Sequence, residues 1–533
     1  MRVPKGNPRT AILASFTLVF LAFPSIVPAQ QTEPRGEIRV VESWRPDITL
    51  LGHNVLQYLF EYALDKNELV PCLAVSRKWL DETSIEIKLR PGVWFTNGEP
   101  FDAQAVKFNF DFQKEHNPGR GVQVYMSHVE EVRVVGRHTI QLTLGGPDAL
   151  FLGKLISGPT AGWVMGAPKY MQKVGWEAFL KRPVGTGPFM VEGEVKDQET
   201  ASEGAVYATL VANPDYWNKG YPKIQKVAFV RYAPQQAVQA VIEGRVDVVT
   251  SLIPKDAWKV EKGPHSQVVK GEDDLTYTAG FLNLRSKRKS PLHDIRVRKA
   301  LNYAINKKEL MRYAYKGNAA EMRGILTAKA GVDLSEAEPY SWNTPKAREL
   351  LREAGYEEGF RMTLLYQEKN YLTARFLQRF YSLLNIEVEI TPVELEQIVR
   401  HVVYPNTKEG YSWKDEDWDV IILSNPGHVP ELMGGMLEWC FHFCAPWQTS
   451  PDRLMGPLDT LYHQVHQTKD REERYEIYKK ANDYIAEQAF WLFTMAPLSL
   501  YGVNAEVEFV PQVSQYLYLE HSSVSDDHRS LRK

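Results

Sequence analysis

Several features are scarce or absent in this sequence, and each absence argues against a class of protein. The 533 residues include only three cysteines, so disulfide bonds do not hold the fold together. Basic and acidic side chains nearly balance, at 63 and 66, which leaves no positive excess for a nucleic acid backbone. The chain lacks a Gly-x4-Gly-Lys phosphate loop, a His-Glu-x-x-His metal pair and a Gly-x-Ser-x-Gly nucleophile elbow. We therefore expect no nucleic-acid partner, no cofactor and no catalytic residues.

The only long apolar run lies at the N-terminus, where the pattern is that of a secretory signal peptide. Arg2, Lys5 and Arg9 precede an apolar run of 13 residues from 11 to 23, and the small-residue pattern at 27–29 is typical of a cleavage site. The run is short for a membrane span, although a short N-terminal anchor is the alternative. No cysteine near residue 29 provides a lipid-attachment site. We expect residues 1–29 to be removed and the mature protein to be periplasmic, without a lipid anchor.

Hydrophobic patterns along the rest of the chain predict an α/β protein. A short strand is predicted at 37–41, and the apolar spacing at 55–64 predicts a helix. Residues 71–183 read as a compact α+β unit. A strand at 224–231, a helix at 235–243 and a strand at 246–249 form the pattern of a βαβ crossover, which implies a parallel sheet.

Two further helices have clear start and stop signals. Within residues 291–316, Asp294 is the expected N-cap and Gly317 the stop. The second helix is expected to start with Thr344 as its cap and to end at Gly355.

A dense aromatic and sulfur-rich cluster occupies residues 439–447. Cys440, His442 and Cys444 are chemically suitable ligands for zinc or copper, but their spacing is not that of a standard site. In an oxidising compartment, a disulfide between Cys440 and Cys444 is the simpler interpretation. His428 is either a ligand contact or an ordinary loop residue.

Four ordered blocks of the sequence resemble the family 5 extracytoplasmic solute-binding proteins, the oligopeptide, dipeptide and nickel receptors of ABC importers. The first block runs from Leu-Arg-Pro-Gly-Val at 89–93 to Asn-Gly-Glu-Pro-Phe-Asp-Ala at 97–103. The second is Pro-Val-Gly-Thr-Gly-Pro-Phe at 183–189. The third combines Asn-Pro-Asp-Tyr-Trp at 213–217 with Gly-Arg-Val-Asp at 244–247, and the fourth is Val-Arg-Lys-Ala-Leu-Asn-Tyr-Ala-Ile at 297–305.

The resemblance implies an α/β fold of the two-lobed periplasmic binding protein type (type II, large peptide-binding subclass), with an extra α+β domain inserted in the first lobe. On this sequence it places the signal peptide at 1–29, the first lobe at 30–70, 184–270 and 490–533, the inserted domain at 71–183, and the second lobe at 271–489. A ligand would be enclosed between the lobes and delivered to an ABC permease in the inner membrane, with no bond broken. A receptor or chaperone that feeds no importer would use the same scaffold. We expect a monomer.

The ligand expectation rests on one departure from the family pattern. Peptide-binding members carry an aspartate just after the strand equivalent to 418–423, where it pairs with the peptide ammonium. Here residues 424–430 contain no acid, and Pro426 stands in the aspartate's place. A buried ammonium without a counter-charge is costly, so the expected ligand is peptide-like or an oligosaccharide rather than an ordinary free-amine peptide.

The expected ligand-binding residues come from loops that would face the cleft. Tyr125 is similar in position to a tyrosine that lines the peptide cleft of the family. The full predicted set is Trp44, Tyr125, Asn425, Gly427, His428 and Trp439. The alternative is an exported metal-binding protein or hydrolase that uses His428, Cys440, His442 and Cys444.

Overall fold

The structure is a computed structural model. It describes residues 33–42, 52–63, 68–116, 128–155, 163–271, 276–286, 289–326, 340–408, 411–412, 416–426, 437, 440–441, 445, 447–511 and 517–532. In these residues no helix is both long enough and apolar enough to cross a membrane. The predicted signal peptide lies outside the described residues.

Strands account for most of the framework. The described strands are β1 (Arg35–Val41), β2 (Phe60–Ala63), β3 (Glu68–Pro71), β4 (Ala74–Trp79), β5 (Ser84–Leu89), β6 (Val129–Gly136), β7 (Thr139–Leu144), β8 (Phe189–Val191), β9 (Val206–Ala212), β10 (Ile224–Val230), β11 (Val248–Val249), β12 (Ser266–Lys270), β13 (Thr276–Leu282), β14 (Ala319–Glu321), β15 (Arg361–Tyr366), β16 (Glu387–Pro392), β17 (Val420–Pro426), β18 (Trp491–Pro497), β19 (Leu500–Asn504), β20 (Val507–Glu508) and β21 (Ser523–Val524).

Helices cover the sheets and connect the strands. The described helices are α1 (Ala103–His116), α2 (Phe151–Lys154), α3 (Pro168–Val174), α4 (Trp176–Lys181), α5 (Pro234–Ile242), α6 (Pro254–Glu261), α7 (Ile295–Tyr303), α8 (Lys307–Glu309), α9 (Thr344–Glu353), α10 (Tyr371–Ser382), α11 (Leu395–Val402), α12 (Tyr404–Thr407), α13 (Asp452–Gln467) and α14 (Arg471–Glu487). A π-helical turn, Leu310–Ala314, follows α8.

A seven-stranded sheet is built around β1, in the order β12-β19-β11-β1-β10-β9-β8. Strand β1 pairs in parallel with β10 on one side and β11 on the other, and α5 connects β10 to β11. The predicted βαβ crossover is therefore confirmed. Ile38 and Val40 of β1 belong to one hydrophobic core, whereas Val41 belongs to a second core on the opposite face. This alternation is expected of a strand that is covered on both faces.

A six-stranded mixed sheet forms a separate body, in the order β14-β18-β13-β17-β15-β16. Strands β15, β16 and β17 are parallel, whereas β13 runs antiparallel to β17 and β18. Its largest buried side chains include Trp418, Trp491, Tyr277 and Tyr381. Strand β18 belongs to this sheet, so the predicted return to the first lobe at residue 490 comes later, after Pro497.

A four-stranded antiparallel sheet, β4-β5-β7-β6, lies within residues 74–144 and packs against α1. The predicted α+β domain at 71–183 includes this sheet and α1, and its bounds stay a prediction. The hydrophobic residues of this unit share one core with those of β1 and β10. Its attachment to the seven-stranded sheet is therefore an extensive apolar contact.

Three local predictions need correction. The helix predicted at 55–64 is wrong: residues 52–59 form turns and isolated bridges, and β2 begins at Phe60. Most residues of this segment are buried, so apolar side chains occur at nearly every position. Such a run contains the apolar spacing of a helix even where no helix forms. The helix within 291–316 is interrupted after Tyr303, although Asp294 caps α7 by accepting from the Arg296 amide. Helix α9 is capped by Asn343, one residue before the predicted Thr344.

Candidate ligand-binding site

The carboxyl ends of the parallel strands in the first sheet lie beside the chain segments that lead to the second sheet. Strand β19 runs antiparallel to β11, so the end of β11 adjoins the start of β19 at Leu500. Strand β12 also pairs antiparallel with β19, with Lys270 opposite Leu500, and therefore ends at the same edge. The chain leaves and re-enters the seven-stranded sheet at this edge.

The second sheet adjoins the same two segments by its own carboxyl edge. Thr276, the first residue of β13, is paired with Pro426, the last residue of β17. The two connections between the sheets contact each other, since the Gly271 amide donates to the Ser499 carbonyl at 2.8 Å. The carboxyl edges of both sheets therefore adjoin the crossing. Open α/β sheets bind their ligands outside this edge.

A network of polar side chains lies at the carboxyl edge of the second sheet. The Ser424 hydroxyl on β17 is 2.6 Å from the Thr278 hydroxyl on β13 and donates to Asn370 Oδ1 at 2.7 Å. The Thr494 hydroxyl on β18 donates to the Thr278 carbonyl. Three strands and the start of α10 thus contribute to one hydrogen-bonded cluster.

Tyr315 closes this cluster from the protein interior. Its hydroxyl is 2.9 Å from the Thr373 hydroxyl, and burial raises the pKa of the phenol. The phenol therefore stays protonated and serves as a fixed hydrogen-bonding group. A network in which the members hold one another in place provides a rigid support for the residues at its rim.

Lys369 is a positively charged residue at this edge. Its ammonium group donates to the Ser424 carbonyl at 3.3 Å, and its side chain is exposed. Surrounding protein atoms nevertheless remove part of its hydration, and this desolvation lowers the pKa of Lys369. A carboxylate that reached this ammonium would form a charge-assisted hydrogen bond with it.

Asn370, the next residue, has an unused hydrogen-bond donor. Its side chain is buried, and its Nδ2 makes no hydrogen bond to the part of the chain that the structure describes. Buried donors are nearly always satisfied, so this amide is suited to an acceptor outside the described residues, and a bound ligand is one candidate.

An acidic residue follows the central strand β1 of the first sheet. Glu42 directly follows β1, is buried, and its backbone carbonyl accepts from Gln198 Nε2 at 2.8 Å. Trp44 follows two residues later. Of the predicted site residues, the backbone of Asn425 therefore lies near the carboxyl end of a strand in the second sheet.

Most of the predicted site residues lie outside the described part of the chain. The backbone of Asn425 is paired with Tyr277 within the second sheet, but its side chain is not described. The remaining predicted residues lie outside the described residues: Trp44, Tyr125, Gly427, His428 and Trp439. Their roles stay predictions.

Of the four residues predicted for the alternative metal or hydrolase site, the structure describes only Cys440. The Cys440 side chain is buried, and burial raises the pKa of its thiol well above the usual value. The thiolate is the form that binds metals and attacks substrates, so this environment opposes both roles. His428, His442 and Cys444 lie outside the described residues. Among the residues that are described, no group of three or more His, Cys, Asp or Glu side chains is arranged to hold a metal ion.

The sequence analysis missed Lys369, Asn370 and Ser424. The available signal was their position: Lys369 and Asn370 come shortly after β15, and Ser424 directly follows the expected strand at 418–423. Polar residues at the ends of neighbouring parallel strands meet at one edge of the sheet. Recognising this required knowing that the two strands are adjacent.

Comparisons with known proteins agree with this architecture. The glutathione-binding protein GsiB of Pectobacterium atrosepticum is 27% identical over 443 residues, which cover 80% of this chain and 79% of that protein. A periplasmic binding protein, DppA of Helicobacter pylori, solved with the peptide STSA, superposes with a TM-score of 0.71 at 20% identity and covers 92% of this chain and 98% of its own. AgaA of A. tumefaciens R10, solved with agropinic acid, has a TM-score of 0.70 at 20% identity, with 93% and 100% covered.

The fold is that of the two-lobed type II periplasmic binding proteins, as these superpositions show. A family model described as bacterial extracellular solute-binding proteins, family 5 (middle), matches residues 68–443, well over half of the 533 residues. The chain therefore belongs to the family 5 bacterial extracellular solute-binding proteins.

Proposed function

We propose that this protein is the periplasmic ligand-binding component of an ABC importer, and that it captures a peptide-like ligand carrying a carboxylate. The ligand would bind between the carboxyl edges of the two sheets and be delivered to a membrane permease without any bond being broken. The observation that carries the proposal is the position of the exposed Lys369 side chain at the carboxyl edge of the second sheet, with its ammonium 3.3 Å from the Ser424 carbonyl. The name of the similar GsiB protein supports it, since glutathione is a peptide with two carboxylates.

Lys369 favours an acidic ligand over a neutral one. A carboxylate beside it would replace the hydration that the protein removes and would form a charge-assisted hydrogen bond. The unused Asn370 amide would supply a second donor close to the same place. A neutral oligosaccharide would gain little from either the charge or its desolvation, so the observations favour the peptide-like member of the two expected ligand classes.

The same proposal assigns the lobes and their movement. The first lobe would contain the seven-stranded sheet and the inserted unit at 71–183, and the second lobe would contain the six-stranded sheet. The contact between Gly271 and Ser499 lies where the chain passes between the sheets, so these segments would act as the hinge. A ligand that contacts both edges would favour the closed arrangement.

Isothermal titration with reduced glutathione as the probe tests the proposal. We expect binding by the unmodified protein, and a dissociation constant about 10- to 100-fold higher for Lys369→Gln, the usual effect of losing a charge-assisted hydrogen bond. Lys480→Gln is the matched control, because Lys480 is an exposed lysine on α14, outside the carboxyl edge. Equal affinities for the two variants would contradict the role of Lys369.

The ligand class is tested with a second pair of probes. Amidation of both glutathione carboxylates should weaken binding to the unmodified protein and have little further effect on Lys369→Gln. Tight binding of a neutral oligosaccharide that is insensitive to Lys369→Gln would overturn the peptide-like assignment while leaving the importer role in place.

A further inference from the structure

A pocket lies on the six-stranded body beside its edge strand β14. It is formed by α8 and the π-helical turn, by edge strand β14, by residues 340–342 and by α10, and its volume is about 860 Å³. Strand β14 is separated from β15, which leads to Lys369, by three intervening strands. At about 4.8 Å per strand, β14 and β15 are roughly 19 Å apart across the sheet. The pocket is of the size that small-molecule sites occupy.

The lining of this pocket is strongly positive although the whole chain has a net charge of −3. Five of its twelve lining residues are lysine or arginine, and two are glutamate. One positive charge is neutralised directly, since Arg379 forms an ion pair with Glu309 at 3.1 Å. A positive excess therefore remains inside a concave surface, where it attracts anions more strongly than scattered surface charges do.

Lys308 and Arg312 provide the clearest part of that excess. Both side chains line the pocket, and neither forms a hydrogen bond or an ion pair with a residue that the structure describes. The Arg312 guanidinium lies 5.3 Å from the centre of the Tyr313 ring, a contact that leaves its charge unneutralised. Like charges four residues apart on adjoining helical turns repel each other. An anion bound between them would remove this repulsion.

Two exposed aromatic rings complete the lining. Trp342 is 56% exposed and Tyr313 is 45% exposed, values unusual for such large side chains. The Tyr313 ring is stacked with Phe376 and contacts Arg312, so the Trp342 ring is the one that offers a stacking surface to a ligand combining acidic groups with a planar part. We infer that this pocket is a second binding site, specific for a small organic polyanion and separate from the carboxyl edge.

Titration with two trianions of equal charge tests the inference. The full-length mature protein is titrated with citrate and with benzene-1,3,5-tricarboxylate at low ionic strength. We expect one bound molecule per chain, tighter binding of the planar probe, and weakening at higher salt because the attraction is electrostatic. Lys308→Gln with Arg312→Gln should lower the affinity about tenfold or more. Trp342→Ala should lower the affinity for benzene-1,3,5-tricarboxylate to that for citrate.

Matched variants distinguish this pocket from general charge attraction and from the carboxyl edge. Lys78→Gln with Lys88→Gln removes the same charge from exposed positions on β4 and β5 and should leave the affinity unchanged. Equal losses in the two double variants would overturn the inference, because any pair of surface cations would then have the same effect.

Loss of trianion binding in Lys369→Gln would also overturn it, since the probe would be occupying the carboxyl edge. Binding of hexaglutamate but of neither trianion would assign the surface to an acidic protein segment instead. These outcomes do not depend on whether glutathione binds, so this inference can fail or hold independently of the proposed function.

Discussion

Lys154 and His466 contact each other inside the protein, although 312 residues separate them in the chain. The Lys154 ammonium is fully buried, lies 2.9 Å from His466 Nε2 and donates to Asp148 Oδ2 at 3.0 Å. Lys154 ends α2, whose Phe151 and Leu152 belong to the core of the seven-stranded sheet, whereas His466 lies in the last turn of α13 beside the six-stranded sheet. His466 Nδ1 lies 3.0 Å from the Tyr462 carbonyl, so this nitrogen donates and Nε2 accepts from the lysine. A buried charged cluster therefore joins the two bodies.

Replacing Lys154 with Met should destabilise the protein by about 3–5 kcal/mol, because the buried Asp148 carboxylate would lose its counter-charge. Urea unfolding measures the effect. The double variant Lys154→Met with Asp148→Asn should recover part of the loss, since no buried charge would then remain unpaired. Lys107→Met breaks an exposed pair with Asp111 and should cost under about 1 kcal/mol. A loss of similar size for Lys107→Met and Lys154→Met would show that burial adds nothing to the Lys154 pair.

Stability should fall as the pH is lowered from about 6.5 toward 4. Burial, and to a smaller extent the charges of Lys154, His128 and His463, lowers the pKa of His466 to about 4, although Asp148 acts in the opposite direction. Between that value and the unfolded pKa of about 6.5 the unfolded chain binds more protons, so stability rises with pH in this window. The contribution is roughly 2–4 kcal/mol at 1.36 kcal/mol per pKa unit. In thermal melts across this range, His466→Gln should have a flatter profile than the unmodified protein; parallel profiles would refute the assignment.

The Gly-Thr-Gly segment at 185–187 should tolerate no side chain at either glycine. A Cβ atom on Gly185 would lie 2.0 Å from the Val55 carbonyl oxygen, and one on Gly187 would lie 2.6 Å from that of Asn54. Gly185→Ala should therefore lower stability by about 1–3 kcal/mol through overpacking. Gly146→Ala, where the added atom meets open space, should change stability by less than about 0.5 kcal/mol. Differential scanning calorimetry of the two variants makes the comparison.

Asp247 should be essential for holding the C-terminal segment against the first sheet. Its fully buried carboxylate accepts from the Arg39 amide at 2.7 Å, from Asn504 Nδ2 at 2.9 Å and from His528 at 3.1 Å, and it pairs with Arg529. Asp247→Ala should cost about 3–5 kcal/mol, because these donors and the arginine would lose their common partner.

Proteolysis near residue 528, together with urea unfolding, measures the Asp247→Ala effect. Asp526→Ala removes an exposed carboxylate that pairs with Arg35, and it serves as the control with an expected change below about 1 kcal/mol. Unchanged protection of the C-terminal segment in Asp247→Ala would show that other contacts hold it.

Local patterns predicted those elements whose signals lie within a few residues of each other. The strand, helix and strand at 224–249 form the predicted parallel crossover, because alternation, helical spacing and a glycine stop are all short-range properties. Asp294 caps α7 for the same reason. The ordered family blocks identified the fold correctly, although spacing alone gave no reason for Gly-Arg-Val-Asp at 244–247. In the structure, Asp247 of that block accepts hydrogen bonds from residues near both ends of the described chain.

Features that depend on partners distant in sequence were decided by the tertiary structure. The segment at 55–64 carries a helical apolar pattern, yet it is buried by other segments and becomes turns and a short strand. Trp491–Pro497 is a strand by its own pattern, but only pairing with Thr278–Phe281 places it in the second sheet. Lys369 and Ser424 become neighbours because β15 and β17 are adjacent, and Lys154 is buried because α13 packs over it. The sequence specifies the charge of each residue and the length and hydrophobic period of each segment. Burial and desolvation depend on which distant segments pack against a residue in the folded chain.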